Sequence, residues 1–459
     1  MSYPRYICIH GHFYQPPREN PWLDVVEVED TAAPFHDWNE RITRECYAPN
    51  TRARLLDGAG RISNLLNNYA WISFNFGPTL LQWLAAQAPE VHRGIVEADR
   101  LSRQRRRGHG NALAQNYNHL IMPLASRHDK ETQVAWGIAD FRHRFDRSPE
   151  GMWLAETAVD LETLEVLAEA GIRFTILAPR QARRWRKLGT KDWQEVPDGI
   201  DPSRAYLCRL PSGRSIVLFF YDAIVARQVA FERLLDSGER FLERLFQGFD
   251  PRREHAQLMH IATDGESYGH HHPHGDMALA YALNRLAQHP EVRLTNYGEF
   301  LELHPPEWEV EIHPNSSWSC AHGVERWRAD CGCRFRGDWH QRWRGPLRAA
   351  LDGLKVQLDH LFSTRGRECF PNPWAARNAY IQVILSREHD PAEPEPGKDD
   401  EAIGTLLARH GHPDLDATQV SDALRLLEMQ LDAMLMFTSC GWFHDELSGI
   451  EPVQCLQYA

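Results

Sequence analysis

Two acidic residues stand where glycosidic chemistry would need them. Glu156 closes the segment WLAE, and Asp264 opens the segment DGESYGHH. Breaking or transferring a glycosidic bond takes two carboxyl groups flanking it, one ionised and one holding a proton near neutral pH. Burial and a like-charged neighbour can arrange that difference. A separation of about 5–5.5 Å leads to retention through a covalent sugar–enzyme intermediate, and roughly 6.5–9.5 Å leads to inversion. A single Glu at a strand end serves equally well as a helix cap or a salt-bridge partner, so the surroundings decide.

Histidines crowd the same two places. His10 and His12 are two apart on a strand-like run and so point the same way. His270, His271, His272 and His274 follow Asp264. Neutral imidazoles beside a carboxylate can hold a divalent ion, usually zinc, or hydrogen-bond sugar hydroxyls. His119 reads as a sugar ligand or as a hydrogen-bonded core residue. A third set, Cys320, His322, Cys331 and Cys333, has the composition of a Cys₃His zinc site. Its C-x-C and C-x-H spacings match no standard finger, so a packed loop of reduced thiols is the other reading.

Seven strand-like runs must carry these residues: Tyr6 to His12, Ala70 to Gly77, Gly110 to Gln115, Gly151 to Glu156, Phe174 to Ala178, Ser215 to Tyr221 and Gln257 to Asp264. Helix-like stretches separate them, such as Leu161 to Ile172 with Gly171 at its end. Strands alternating with helices predict right-handed βαβ units and a parallel sheet. His10, His12, Asn75, Gln115, Glu156, Asp222 and Asp264 all fall at the C-terminal ends of the runs. In a parallel α/β barrel that rim is where active sites are built, and core packing alone would not gather polar residues there.

After about residue 305 the character changes. Pro305, Pro306 and Pro314 punctuate a loop, a Trp-, Cys- and Arg-rich segment runs from Ser316 to Arg344, and helical patterns cover Pro346 to Phe362, Trp374 to Arg387 and Ala417 to Phe437. The acidic, proline-rich stretch from His389 to Ala402 reads as an exposed loop. With 459 residues the chain exceeds the usual single core. We therefore expect a catalytic domain over 1–305 and a Cys/Trp-rich loop plus helical bundle over 306–459, the latter ending abruptly enough to suggest truncation.

The net charge of −12 argues against a nucleic-acid partner, and the basic run Arg103 to Arg107 reads as a solvated face. No apolar run reaches membrane-span length, the start carries no signal-peptide pattern, and nine scattered cysteines suggest no disulfide framework. A cytoplasmic location is the expectation. Fifteen Trp and thirteen Tyr supply flat faces suited to sugar rings, although most will be core.

Four ordered motifs carry a resemblance: HGHFYQPP at His10 to Pro17, NYNHLIMPL at Asn116 to Leu124, WLAE at Trp153 to Glu156, and DGESYG at Asp264 to Gly269. Together they resemble glycoside hydrolase family 57. The resemblance implies an incomplete TIM-like (β/α)7 barrel followed by a C-terminal α-helical region. It further implies a retaining enzyme, with Glu156 as nucleophile and Asp264 as general acid/base. The substrate would be an oligo- or polysaccharide, an α-glucan that is hydrolysed, transferred or branched, and no cofactor would be required. Sugar contacts would come from His10, His12, Gln15, Trp38, Asn75, Gln115, His119, Trp153, Glu266, Tyr268, His270, His322 and Trp327. Segments Asp37 to Tyr47 and Ser317 to Cys333 are similar to a bacterial branch of that family.

The chain departs from the family pattern in places. HGHFYQPP is two residues longer than the commoner His–Gln–Pro form, Gln115 replaces a frequent Glu, and well-studied amylolytic members lack the Cys-rich segment. The substrate is the property most exposed to these changes. Two other readings use the same residues. One is a metal-dependent sugar hydrolase or deacetylase on His10, His12 and Asp264. The other is a glycan-binding protein without turnover.

Overall fold

The computed structural model describes residues 3–197, 199–388 and 397–459. Seven parallel strands organise its first part: β1 (Arg5–Phe13), β2 (Ser73–Phe76), β3 (Ala114–Gln115), β4 (Met152–Trp153), β5 (Phe174–Leu177), β6 (Ser215–Phe220) and β7 (Gln257–Asp264). β1 is buried along almost its whole length, which is why it reads as an unbroken apolar run with histidines only at its end.

β1 pairs with β7 in a register that sets His12 opposite Asp264. On its other side it pairs with β2, His12 opposite Asn75, and at its start with a short further parallel strand, Val292–Leu294. β3 pairs with β4, Gln115 opposite Trp153, and β5 pairs with β6. Single bridges link the rest, Phe74 to Ala112 and Gly151 to Phe174. Between β6 and β7, the Asp222 amide donates to the His260 carbonyl at 2.8 Å. The ladders thus form separate sheets joined by isolated contacts, not one continuous closed barrel.

The βαβ expectation missed an antiparallel extension. Strands Ala182–Lys187, Gln194–Glu195, Ala205–Arg209 and Trp308–Ile312 join β5 and β6 in a six-stranded sheet. Charged cross-strand pairs, Arg184 with Glu311 and Arg186 with Glu309, occupy one face of this extension.

The helices match three expectations with shifted ends: Arg344–Cys369, Ala417–Leu435, and a pair, Pro373–Ala379 and Ile381–Ser386, where one helix was expected. Of the expected loop from His389 to Ala402, residues 389–396 lie outside the described residues. From Lys398 the chain is helical to His410, not a loop, with Asp399, Asp400 and Glu401 in the first turn, where carboxylates complement the helix dipole. Among the described residues no helix is long and apolar enough to cross a membrane.

The main core runs from the strands into these helices, joining Ile7, Phe74 and Leu154 to Phe362, Leu427 and Met434, and a second cluster gathers Trp327, Leu351 and Trp442. Buried charges pin the junction. Arg377, fully buried, donates to Asp129 at 2.8 Å and to the Gln430 side-chain oxygen at 2.6 Å, and Lys355 lies 3.1 Å from Asp129. Removing one member of such a set strands a buried charge. Arg377→Ala is expected to cost about 3 kcal/mol, even with Lys355 still facing Asp129. Arg365→Ala, which breaks an exposed pair with Glu368, should cost under about 0.5 kcal/mol. Thermal midpoints of the two variants test this, and equal midpoints would contradict it.

Candidate active site

The chain turns sharply where it leaves β4. Glu156 and Thr157 both adopt left-handed backbone, with φ of 57° and 49°. Such a conformation costs on the order of 1–3 kcal/mol per non-glycine residue and is least tolerated by a β-branched one. Neighbours hold it in place. Thr157 Oγ1 donates to Gln181 Oε1 at 2.9 Å, and Gln181 Nε2 donates back to the Thr157 carbonyl at 2.8 Å. The Trp318 amide donates to the Glu156 carbonyl at 3.0 Å. Just before the turn, Asn116 accepts from the Ala155 amide at 2.8 Å.

The turn sends the Glu156 carboxylate toward the segment that follows strand Trp308–Ile312. Trp318 Nε1 donates to Glu156 Oε2 at 2.9 Å, and the Ser319 hydroxyl donates to the same oxygen. Both donors converge on Oε2. Burial raises the Glu156 pKa, and the two donors with Arg326 and His444 oppose that rise.

Asp264 ends β7 beside His12. It stays exposed although protein surrounds it closely. Its carboxyl is pushed up to about 8 by burial and by the charges of Glu266 and Glu156. Because one side is open to water, the two acidic neighbours matter to that direction as well as burial. Glu156 and Asp264 are thus electrostatically coupled, and Tyr221 lies between their surroundings: it feels Asp264, and its ring is 6.3 Å from that of Trp318. Gly265 lets the acidic loop lie on β1, since a Cβ there would come within 2.2 Å of the Phe13 ring.

Glu266 is buried, accepts from the Tyr14 amide at 3.0 Å and the Tyr47 hydroxyl at 2.6 Å, and is pushed up to about 7 by burial. His10 and His12 both stack on Trp153 at 4.9 Å, as their spacing required. Asn75 bonds to both rings and donates to Gln115 at 2.8 Å. His12 meets His119 at 3.2 Å, and His119 meets the Ser439 hydroxyl at 2.7 Å. Burial lowers both His10 and His12 to about 3 and His119 well below its ordinary value, so all three are neutral. The ring nitrogens of His10 are taken by Ser73 and Asn75, and those of His12 by Asn75 and His119. His10, His12 and Asp264 therefore do not converge as a ligand set.

Other expected contacts lie elsewhere. Tyr268 is packed inside, its hydroxyl meeting Thr263. Trp327 is fully buried and donates to the Ser439 carbonyl at 3.1 Å. His270 bonds to Glu45 at 2.5 Å and lines a surface cleft with Arg41 and Arg52. Trp38 lies edge-on to His270, its indole donating to Thr31 at 2.9 Å. Gln15 braces Arg18 at 2.8 Å. His322 faces the cysteines: Cys320, His322, Cys331 and Cys333 form the one Cys/His group among the described residues whose ligand atoms converge, all within 4.8 Å of one another. Nothing in the sequence marks the parts of Thr157 and Gln181. Only the position of Ser319 within SWSC hinted at its part.

Comparison with known proteins follows this geometry. A sequence model described as "Glycosyl hydrolase family 57" matches residues 7–313, and one described as "Domain of unknown function (DUF3536)" matches residues 339–459. Alpha-amylase 1 of Dictyoglomus thermophilum is 27% identical over 106 residues, which is 23% of this chain and only 15% of that relative's length. An exo-type maltose-forming amylase from Pyrococcus sp. ST04 superposes with a TM-score of 0.70 at 16% identity, covering 99% of this chain and 79% of that one. A GH57-type branching enzyme from Pyrococcus horikoshii superposes with a TM-score of 0.61 at 15% identity, covering 99% and 88%. At these identities the structural likeness is one of fold, a mixed α/β part with a C-terminal helical region.

The left-handed turn yields a stability test. Gln181→Ala removes both side-chain bonds that hold Thr157 and should cost about 2 kcal/mol, while Thr157→Gly, which frees the left-handed position, should cost less despite losing the hydroxyl. Denaturation midpoints decide, and a neutral Gln181→Ala would show that the turn stands unaided.

Proposed function

Since the chain belongs to glycosyl hydrolase family 57, a family of enzymes acting on glycosides, we propose that it acts on an α-glucan by double displacement. The observation that carries this reading is the coupled pair of acids, one held by two donors at a single oxygen and the other raised by two neighbouring charges. Glu156, ionised, attacks the anomeric carbon through Oε1, and Asp264 gives its proton to the leaving oxygen. Asp264 then takes a proton from water in hydrolysis, or from a sugar hydroxyl in transfer or branching. Trp318, half-buried against Glu156, offers a ring face or edge to a sugar, while His10, His12, Asn75 and Trp153, buried and bonded or stacked on one another, keep the wall behind it neutral. The amylase and branching-enzyme names of the structural neighbours support the choice of α-glucan.

The seven parallel strands are read as an incomplete (β/α)7 barrel whose ring runs β1–β2–β3–β4–β5–β6–β7 and returns to β1. The catalytic domain spans 1–305 and the helical part 306–459, with strand Trp308–Ile312 reaching back onto the first.

The signs of the two shifts give a pH test. Glu156 must be ionised, so kcat/KM rises as pH climbs through its raised pKa. Asp264 must be protonated, so kcat/KM falls as pH passes about 8. Glu266→Gln keeps an oxygen for Tyr14 and Tyr47 but removes a negative charge, and so should move the alkaline limb to lower pH. An unmoved limb would contradict the pairing. On maltooligosaccharides, Glu156→Gln and Asp264→Asn should each lower kcat/KM by about a thousandfold with the fold kept, whereas activity near that of the unmodified enzyme would overturn the assignment.

A further inference from the structure

We propose that Cys320, His322, Cys331 and Cys333 bind one zinc-type divalent ion in a closed, structural Cys₃His site. The distances carry the inference. With Zn–S near 2.3 Å and Zn–N near 2.0–2.1 Å, tetrahedral geometry puts sulfurs about 3.8 Å apart and sulfur about 3.6 Å from nitrogen. Cys320 Sγ lies 3.9 Å from Cys331 Sγ and 3.8 Å from Cys333 Sγ, and Cys333 Sγ lies 3.7 Å from His322 Nδ1. These are edges of that tetrahedron and nearly twice a disulfide bond length.

The backbone is shaped to bring the four together. Gly332, between the last two cysteines, has φ of 83°, so both thiols of the tight C-x-C turn to one point. Gly323, just after His322, also has φ of 83°, and a Cβ there would come within 2.2 Å of the Asn315 carbonyl oxygen. Arg180 fixes the Cys320 carbonyl at 3.2 Å, and Arg344 fixes that of Cys333 at 3.2 Å. Three thiolates and a neutral imidazole around a doubly charged ion leave a net charge of −1, and Arg344, fully buried beside them, supplies a positive charge.

All four ligands are protein atoms, which leaves no open position for water and makes the role structural. The segment so fixed is the one that reaches Glu156, since Trp318 and Ser319 immediately precede Cys320.

The test is metal analysis of the full chain purified with reductant, which needs no turnover and so stands or falls apart from the catalytic reading. About one zinc per chain should survive gel filtration. Exchange with cobalt(II) should give the intense visible ligand-field absorption and the thiolate charge-transfer band of a tetrahedral, sulfur-rich centre. Cys331→Ser and Cys333→Ser should each lower retained metal at least tenfold. His322 is exposed, so His322→Ala should fold even if those variants do not, weaken binding by 10- to 100-fold and alter the cobalt spectrum. A chain that takes up neither metal to one equivalent overturns the site. So does a cobalt spectrum lacking thiolate bands, or one unchanged by His322→Ala.

Discussion

Everything about the site follows from one strained turn. Two consecutive non-glycine residues, Glu156 and Thr157, are held in left-handed backbone at the end of β4. In an extended continuation of β4 the side chain would stand across a face of the sheet. The turn instead swings it toward the loop after Trp308–Ile312, where an indole and a hydroxyl hold a single oxygen. Gln181 clamps Thr157 from a different loop, and the Trp318 amide clamps Glu156. The strain is tolerated because the surrounding parts are locked by burial. It persists at a place where a carboxylate must be aimed, which is the usual setting of backbone strain.

The electrostatics follow from where water is excluded. The polar layer at this end of β1 is built from neutral histidines on the Trp153 face, kept uncharged by burial. Positive charge there would hold both acids ionised. Without it, the charges of Glu266 and Glu156 add to burial in raising Asp264, up to about 8, while burial raises Glu266 to about 7 and Glu156 above its ordinary value. Of the two acids, Asp264 is thereby the one raised furthest toward holding a proton, and Glu156 the one whose charged form two hydrogen-bond donors favour, the division that the proposed acid–base work at a glycosidic bond requires.

Much of this was legible in the sequence. β7 runs from Gln257 to Asp264 as read, and β1 differs by one residue at each end, because both are apolar runs buried on two faces and end in polar residues. β3 and β4 were harder: their ladders are two residues long, and what continues them is isolated bridges that leave no periodicity. Strand Ala182–Lys187, with its ARRWRK sequence, was hidden because its partners are carboxylates across the sheet. Within the site, the two acids and the paired histidines announced themselves by type and spacing. The clamp did not. Gln181 and Ser319 are ordinary polar residues whose part depends on contacts 24 and 163 positions away. Tyr268 and Trp327 show the converse, aromatic residues in suggestive motifs that the fold turned into the core.

The central claim is that Glu156 itself forms the bond to the sugar. It is tested most directly by mixing the protein with a slow, fluorinated α-glucosyl donor and locating the mass increment by peptide mass spectrometry. The account predicts one glucosyl adduct on the peptide containing Glu156, absent in Glu156→Gln and released when an acceptor sugar is added. A stable adduct on another acid, or turnover of the donor with inversion and no adduct, would contradict it.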